Sequence, residues 1–112
     1  MNGWKVLNNR RDSISSYGNY FALTYPVNVE VFPSLIGSKL FFFKEKKDAT
    51  AFASQYTDIL VVKCIAKNPR KQKRIAKYLG GIKYLWENTL CKSDIEVAPP
   101  GTYVADSVTC LE

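Results

Sequence analysis

The chain of 112 residues contains no histidine, and only ten of its residues are acidic. Histidine is the commonest general base and completes Ser-His and Cys-His nucleophile pairs, so its absence argues against enzymes of those classes. Asp94 and Glu96, the nearest carboxylate pair, lie in a polar stretch typical of a solvated surface. The sequence also lacks a phosphate-binding glycine loop. We therefore expect a protein that is not an enzyme and that binds no cofactor.

Cysteine is scarce, and Cys64, Cys91 and Cys110 are odd in number and widely spaced. This pattern predicts reduced thiols rather than a disulfide framework, and the lack of neighbouring ligands predicts no metal. Cys64, inside an apolar run, is expected to be a buried and inert thiol.

Long apolar segments are missing as well. The runs at residues 40–43 and 59–62 are far shorter than the roughly 20 residues of a membrane span. Residues 1–11 contain no apolar stretch of the kind found in a secretory signal. These two features lead us to expect a cytoplasmic protein that does not enter a membrane.

Positive charge is plentiful and unevenly placed. Residues 63–86 hold eight of the sixteen Lys and Arg residues and no acid. A concentrated basic surface raises the local concentration of anionic partners. The expected partner is therefore a protein with an acidic surface or a nucleic acid.

Hydrophobic periodicity predicts mainly strands. Residues 27–31, bracketed by two prolines, suggest a short edge strand, and Pro100-Gly101 suggests a type II turn. The predicted core contains Phe41, Phe43, Phe52, Val61 and Ile75. The predicted strands cover residues 4–7, 20–25, 27–31, 39–43, 59–65, 102–105 and 108–111.

Two helices are predicted. The first spans about residues 48–55 with Asp48 as its N-cap. The second begins at Asn68-Pro69, an N-cap followed by proline at the first helical position, and either ends at Leu79 or bends at Gly80-Gly81. Together these elements predict an α+β fold, one compact domain over residues 1–112. We expect a mixed or mainly antiparallel sheet of five or six strands with two or three helices.

On the predicted second helix, Arg70, Arg74 and Lys77 share one face. Such a row can bind phosphates, or it can be the solvated side of an amphipathic helix. Tyr78 and Tyr84 are the aromatic candidates for stacking beside it, although both can equally pack at the core edge. The predicted partner-binding residues are Lys67, Arg70, Lys71, Lys73, Arg74, Lys77, Tyr78 and Lys83.

Several motifs resemble small phage and prophage proteins without an assigned activity. The resemblance rests on residues 5–7, Tyr25-Pro26, residues 40–43 with Phe52-Ala53, residues 98–102 and residues 106–108. Residues 39–56 also resemble, more distantly, the strand and helix of ADP-ribosyltransferase-like folds. Neither the His-Tyr-Glu set nor the Ser-Thr-Ser and Glu-x-Glu motifs of those enzymes occur here. That resemblance therefore implies at most a degenerate or unrecognised enzyme.

The function expected from the sequence is a non-enzymatic binding protein. The phage resemblance implies an accessory factor that acts on, and in one form inhibits, a host macromolecule in the host cytoplasm. The basic helix would provide the contact surface. The alternative is a nucleic-acid-binding protein that recognises the phosphate backbone.

Overall fold

The computed structural model describes residues 1–13, 23–34, 38–76 and 92–112. This part of the chain contains nine strands, one α-helix and one short 3-10 turn at Lys92–Asp94. The helix, α1, spans Lys46–Ala53. The strands are β1 Asn2–Asn8, β2 Glu30–Val31, β3 Leu40–Phe43, β4 Ile59–Lys67, β5 Arg70–Lys71, β6 Arg74–Ala76, β7 Ile95–Val97, β8 Thr102–Ala105 and β9 Ser107–Cys110.

Seven strands form one sheet in the order β2-β9-β4-β1-β3-β8-β5, and every described pairing is antiparallel. Asp106 alone separates β8 from β9 in the sequence, yet β4, β1 and β3 lie between them in the sheet. In a flat sheet these strands would be about 19 Å apart, since neighbouring strands are about 4.8 Å apart. One residue spans at most about 3.6 Å. The sheet must therefore roll up on itself until Ala105 and Ser107 meet.

The core fills the inside of this rolled sheet. Its largest fully buried side chains include Tyr25, Phe42 and Leu7. A second, smaller cluster lies on the outer face, where Ala49 of α1 covers Val6 and Phe43. The rolled sheet thus has a closed interior and an outer face that α1 covers only in part.

Three of the five predicted core residues lie in the second cluster, on the outer face of the sheet. Phe43 is buried, and Phe52 and Val61 pack beside it with part of their surface exposed. Phe41 and Ile75 are half-buried, so none of the five is an exposed residue.

The fold class expected from the sequence is wrong in its helices and in its strand count. The described residues form a mostly antiparallel β-structure, with a seven-stranded sheet, a separate β6–β7 pair and a single α-helix. The strands predicted at residues 4–7, 39–43, 59–65, 102–105 and 108–111 are confirmed with small boundary shifts. The predicted strand at 20–25 lies partly outside the described residues, and that at 27–31 is reduced to β2.

The predicted helix beginning at Asn68-Pro69 is also wrong over its described part. Residues 70–71 and 74–76 are strands β5 and β6. Asn68 has a φ of +51°, in the left-handed region, whereas an N-cap normally has extended backbone. Pairing of β5 with β8 supplies the backbone hydrogen bonds that a helix would otherwise provide. Residues 77–91, including Gly80-Gly81, lie outside the described residues.

The first predicted helix is confirmed, shifted toward the N-terminus by two residues. Its N-cap is Glu45, whose side chain makes no capping hydrogen bond, and the prediction that Asp48 is the N-cap is wrong. Asp48 instead lies in the first turn, where a carboxylate interacts favourably with the helix dipole.

The predicted type II turn is confirmed around Pro100 and Gly101. The backbone N–H of Thr102 donates to the carbonyl of Pro99 at 3.2 Å, and Gly101 has a φ of +79°. A side chain at Gly101 would also overlap the carboxylate of Asp48 in α1. This glycine therefore satisfies both the turn and the close approach of the helix.

Gly101→Ala is expected to lower the free energy of unfolding by about 1–3 kcal/mol, because alanine disfavours positive φ and its methyl group meets Asp48. Urea unfolding measures the loss. Asp48→Ala separates the two causes in part, since the double variant keeps the backbone strain and removes the overlap with the carboxylate, leaving only the 2.8 Å approach to the Cβ of residue 48. The double variant should lose less than the sum of the single variants. A Gly101→Ala protein as stable as the wild type would contradict the assignment of this turn.

None of the described residues forms a helix that is long and apolar enough to cross a membrane.

Candidate functional site

Five of the predicted partner-binding residues are among the described residues; four lie on strands, Lys73 lies between two strands, and none lies on a helix. Lys67 ends β4, Arg70 and Lys71 form β5, Lys73 follows it, and Arg74 begins β6. All five are exposed. The predicted row of Arg70, Arg74 and Lys77 as successive turns of one helix is therefore wrong for its first two members. Lys77, Tyr78, Lys83 and Tyr84 lie outside the described residues.

The described basic residues of this stretch form a surface that we call the basic ridge. It consists of Lys63, Lys67, Arg70, Lys71, Lys73 and Arg74, which are all exposed. In β4 the alternation of the strand separates the two sides, because Val62, Cys64 and Ala66 are buried while Lys63 and Lys67 face outward. The period of the strand thus directs the β4 ammonium groups to solvent.

Few acidic groups neutralise this ridge. Lys67 pairs with Glu30 at 3.0 Å. A hydrogen bond from Ser107, together with Lys67, holds the pKa of Glu30 below its ordinary value. Among the residues that the structure describes, the other five members of the ridge form no ion pair. Most of its positive charge therefore remains available to an external anion.

Two further carboxylates lie at the edge of the ridge. The Glu112 Oε1 accepts a hydrogen bond from the backbone N–H of Lys63 at 3.1 Å. Asp106, at the bend between β8 and β9, accepts hydrogen bonds from Lys39 and from Asn68. These bonds hold the pKa of the Asp106 carboxyl below its ordinary value, with a smaller contribution from the charge of Arg70. Asp106 therefore stays ionised and ties the β4–β5 connection to the start of β3 rather than neutralising the ridge as a whole.

An aromatic residue adjoins the ridge on the outer face of the sheet. Trp4 of β1 lies opposite Phe43 on one side and opposite Lys63 on the other. The Nζ of Lys46 lies 5.1 Å from a Trp4 ring centroid, and the Nζ of Lys63 lies 5.9 Å from it. Each contact is worth roughly 0.5–1 kcal/mol at an exposed site. The result is an indole ring flanked by two ammonium groups at one end of the ridge.

Sequence reasoning missed Trp4 and Lys46 as site residues. Their contact joins β1 to α1, and no pattern in either segment indicates that they meet. The feature of the sequence that could have indicated them is a tryptophan at an alternating strand position beside a lysine-rich segment. This combination is common in proteins and is therefore weak evidence for a binding site.

A second polar group lies inside the rolled sheet. Lys5 is 3% exposed, and its ammonium donates to the backbone carbonyl of Phe41 and lies 4.8 Å from the Tyr25 ring centroid. Burial lowers the pKa of Lys5 to about 8, and the neighbouring Cys64 and Cys110 partly oppose this. Burial also raises the pKa of Tyr25 and of both thiols, that of Cys64 to about 12.

Cys64 is buried, as expected, and both Cys64 and Cys110 are free thiols. Cys91 lies outside the described residues. In the described part of the chain, no three Cys, Asp or Glu side chains come together in a way that could hold a metal ion.

No protein-family model, no curated protein and no solved structure matches this chain.

Proposed function

We propose that the protein binds nucleic acid through the basic ridge, with contacts to the phosphate backbone and with Trp4 as a stacking surface. The observation that carries this proposal is the position of Trp4, flanked by Lys46 and Lys63 where the ridge begins. Proteins that bind single-stranded nucleic acid without sequence preference combine a positively charged surface with aromatic side chains on which the bases stack.

Geometry favours nucleic acid over an acidic protein. Lys63 and Lys67 are about 13 Å apart along β4, since a strand rises about 3.3 Å per residue, so an extended polyanion that contacts Lys63 can also reach Lys67, which it would share with Glu30. Phosphates recur at regular intervals along a nucleic-acid strand, whereas the carboxylates on a folded protein need not be regularly spaced. An acidic host protein would use the same charges but would have no special use for the indole ring.

The first test compares two arginine-to-glutamate changes that alter net charge equally. Arg70 is on the ridge, whereas exposed Arg10 follows the end of β1 that pairs with the start of β4, away from β5. We expect Arg70→Glu to weaken binding of a labelled mixed-sequence single strand at least threefold in 50 mM salt, measured by fluorescence anisotropy. It should also reduce the slope of log affinity against log salt by about 0.7. Arg10→Glu should change neither quantity.

Lys63→Glu provides a second ridge variant, and poly-glutamate provides the competing anion. Lys63→Glu should weaken binding as Arg70→Glu does, and poly-glutamate should displace the oligonucleotide poorly at equal charge. Equal losses in Arg70→Glu and Arg10→Glu would show that only net charge matters and would refute the ridge as the site. Efficient displacement by poly-glutamate would instead favour a protein partner with an acidic surface.

A further inference from the structure

Cys64 and Cys110 lie directly opposite each other on neighbouring strands. They are partners in the β4–β9 pairing, so their side chains point to the same side of the sheet, and both are buried in the interior cluster. The backbone N–H of Leu111 donates to the carbonyl of Lys63 at 2.8 Å. This hydrogen bond connects the residue before Cys64 to the residue after Cys110. Cys64 and Cys110 themselves therefore form a non-hydrogen-bonded pair of the ladder.

This position suits a covalent link. The Cα atoms of a non-hydrogen-bonded antiparallel pair are about 4.5 Å apart, and their side chains are closer than those of a hydrogen-bonded pair. Disulfides span Cα separations of about 4.4–6.8 Å. The two thiols can therefore be joined without moving either strand far.

We propose that Cys64 and Cys110 are a site of reversible oxidation, at which a low-molecular-weight disulfide such as oxidised glutathione converts the two thiols into a cross-strand disulfide. The reduced pair described above is the starting state of this reaction. The proposal does not depend on the nucleic-acid interface.

Access to the site is through the end of β9. Cys110 is the last residue of that strand, and the following Leu111 and Glu112 are exposed. The outer neighbour of β9 is the two-residue strand β2, which pairs at Thr109 and Val108. The bonds at this end of β9 run from the Leu111 N–H to the Lys63 carbonyl, from the Asn28 N–H to the Cys110 carbonyl and from the Lys63 N–H to the Glu112 carboxylate. These must break for Cys110 to reach solvent, and such a local opening costs less than global unfolding.

The chemistry proceeds in two exchanges. The Cys110 thiolate attacks one sulfur of oxidised glutathione, forming a mixed disulfide and releasing one glutathione thiolate, which takes up the proton that Cys110 lost. While β9 is still open, the Cys64 thiolate attacks the Cys110 sulfur, forming the protein disulfide and releasing the second glutathione to solvent, where it is protonated likewise; β9 then closes. The two cysteines are oxidised and one glutathione disulfide is reduced to two thiols.

Lys5 lies where it can assist the second exchange. Its ammonium is buried beside Tyr25, which belongs to the same interior cluster as the two cysteines, and its positive charge favours the thiolate forms of both Cys64 and Cys110 against the effect of burial. A buried thiol pair with no adjacent cation would lack this help.

The test uses Cys91→Ser, Cys64→Ser and Cys110→Ser beside the wild type. Each protein is equilibrated with oxidised and reduced glutathione, once from the folded reduced state and once by refolding from urea, so that slow access to a buried thiol cannot hide the result. Free thiols are then alkylated under denaturing conditions and the mass is measured. Wild type and Cys91→Ser should lose two hydrogens by both routes, whereas Cys64→Ser and Cys110→Ser should not.

The disulfide closes a long loop, so the oxidised Cys91→Ser protein should melt on the order of 10 °C above its reduced form. Dithiothreitol should restore the reduced mass and melting temperature. The proposal is refuted if Cys91→Ser keeps two alkylatable thiols after refolding in oxidised glutathione. It is also refuted if the bond that forms joins Cys91 or a second copy of the chain.

Discussion

Phe42→Ala is expected to lower the free energy of unfolding by about 3–5 kcal/mol. Phe42 is 1% exposed, and its ring lies 5.8 Å from that of Tyr103 across the β3–β8 pair. On its other side, the ring fills the space where Gly3 has no side chain, since a Cβ there would come within 2.5 Å of Phe42 Cδ2. Truncation would leave a cavity in a closely packed interior that cannot easily collapse.

Phe32→Ala is the matched control, because it is the same substitution at a side chain that is 59% exposed. Urea unfolding should give the same dependence of unfolding free energy on urea concentration for both variants. The free energy of unfolding should fall as stated for Phe42→Ala and by at most about 0.5 kcal/mol for Phe32→Ala. Similar losses in the two variants would mean that the interior of the sheet is not the main core.

Lys5→Met is expected to stabilise the protein at pH 7 by about 2–3 kcal/mol. Burial lowers the pKa of Lys5 from 10.5 to about 8, so the fold carries the cost of a buried ammonium wherever that group stays protonated. A shift of this size corresponds to roughly 3 kcal/mol. Loss of the hydrogen bond to the Phe41 carbonyl offsets part of the gain.

The dependence on pH gives the sharper result. Below about pH 8, Lys5 is protonated in both the folded and the unfolded states, so the full cost is present. Between about pH 8 and 10.5 the unfolded chain binds more protons than the fold does, so the contribution of Lys5 to stability rises with pH. The advantage of Lys5→Met should therefore shrink over this window.

Other groups change stability in the opposite direction at high pH. Because burial raises the pKa of Tyr25 and Cys64, folding keeps their protons on while the unfolded chain loses them, and stability falls as pH rises. Most of this loss is common to both proteins, so the difference between their unfolding free energies reports Lys5 together with its charge interactions with Cys64 and Cys110. Urea unfolding at pH 7, 8, 9 and 10 measures that difference.

Lys44→Met is the control, since Lys44 is an exposed lysine. Its difference from wild type at pH 7 should be small. If Lys5→Met were less stable than wild type at pH 7, the ammonium would contribute more through its interior contacts than it costs in burial.

Local sequence patterns were sufficient for most strands and for one turn. Alternation predicted β1, apolar runs predicted β3 and β4, and Pro100-Gly101 predicted the turn before β8. These features depend on neighbouring residues, because a strand's period and a turn's φ requirement are set within a few positions of the chain.

The same reasoning failed between residues 68 and 76. Asn68-Pro69 is a common helix start, but β5 finds hydrogen-bond partners in β8, more than thirty residues later in the chain. Pairing across the sheet therefore determined the local structure, and it moved the basic residues from a predicted helix to exposed positions on strands.

The sequence by itself determined that the chain is basic, that its charge is concentrated in residues 63–86, and that its apolar segments favour strands. Only the tertiary structure decided that Lys5 is interior, that Trp4 meets Lys46, and that Cys64 faces Cys110. Each of these depends on how the sheet rolls up and on the register of strands that are far apart in the chain. A one-residue change of register would turn every side chain to the opposite face, and local sequence does not specify which register is formed.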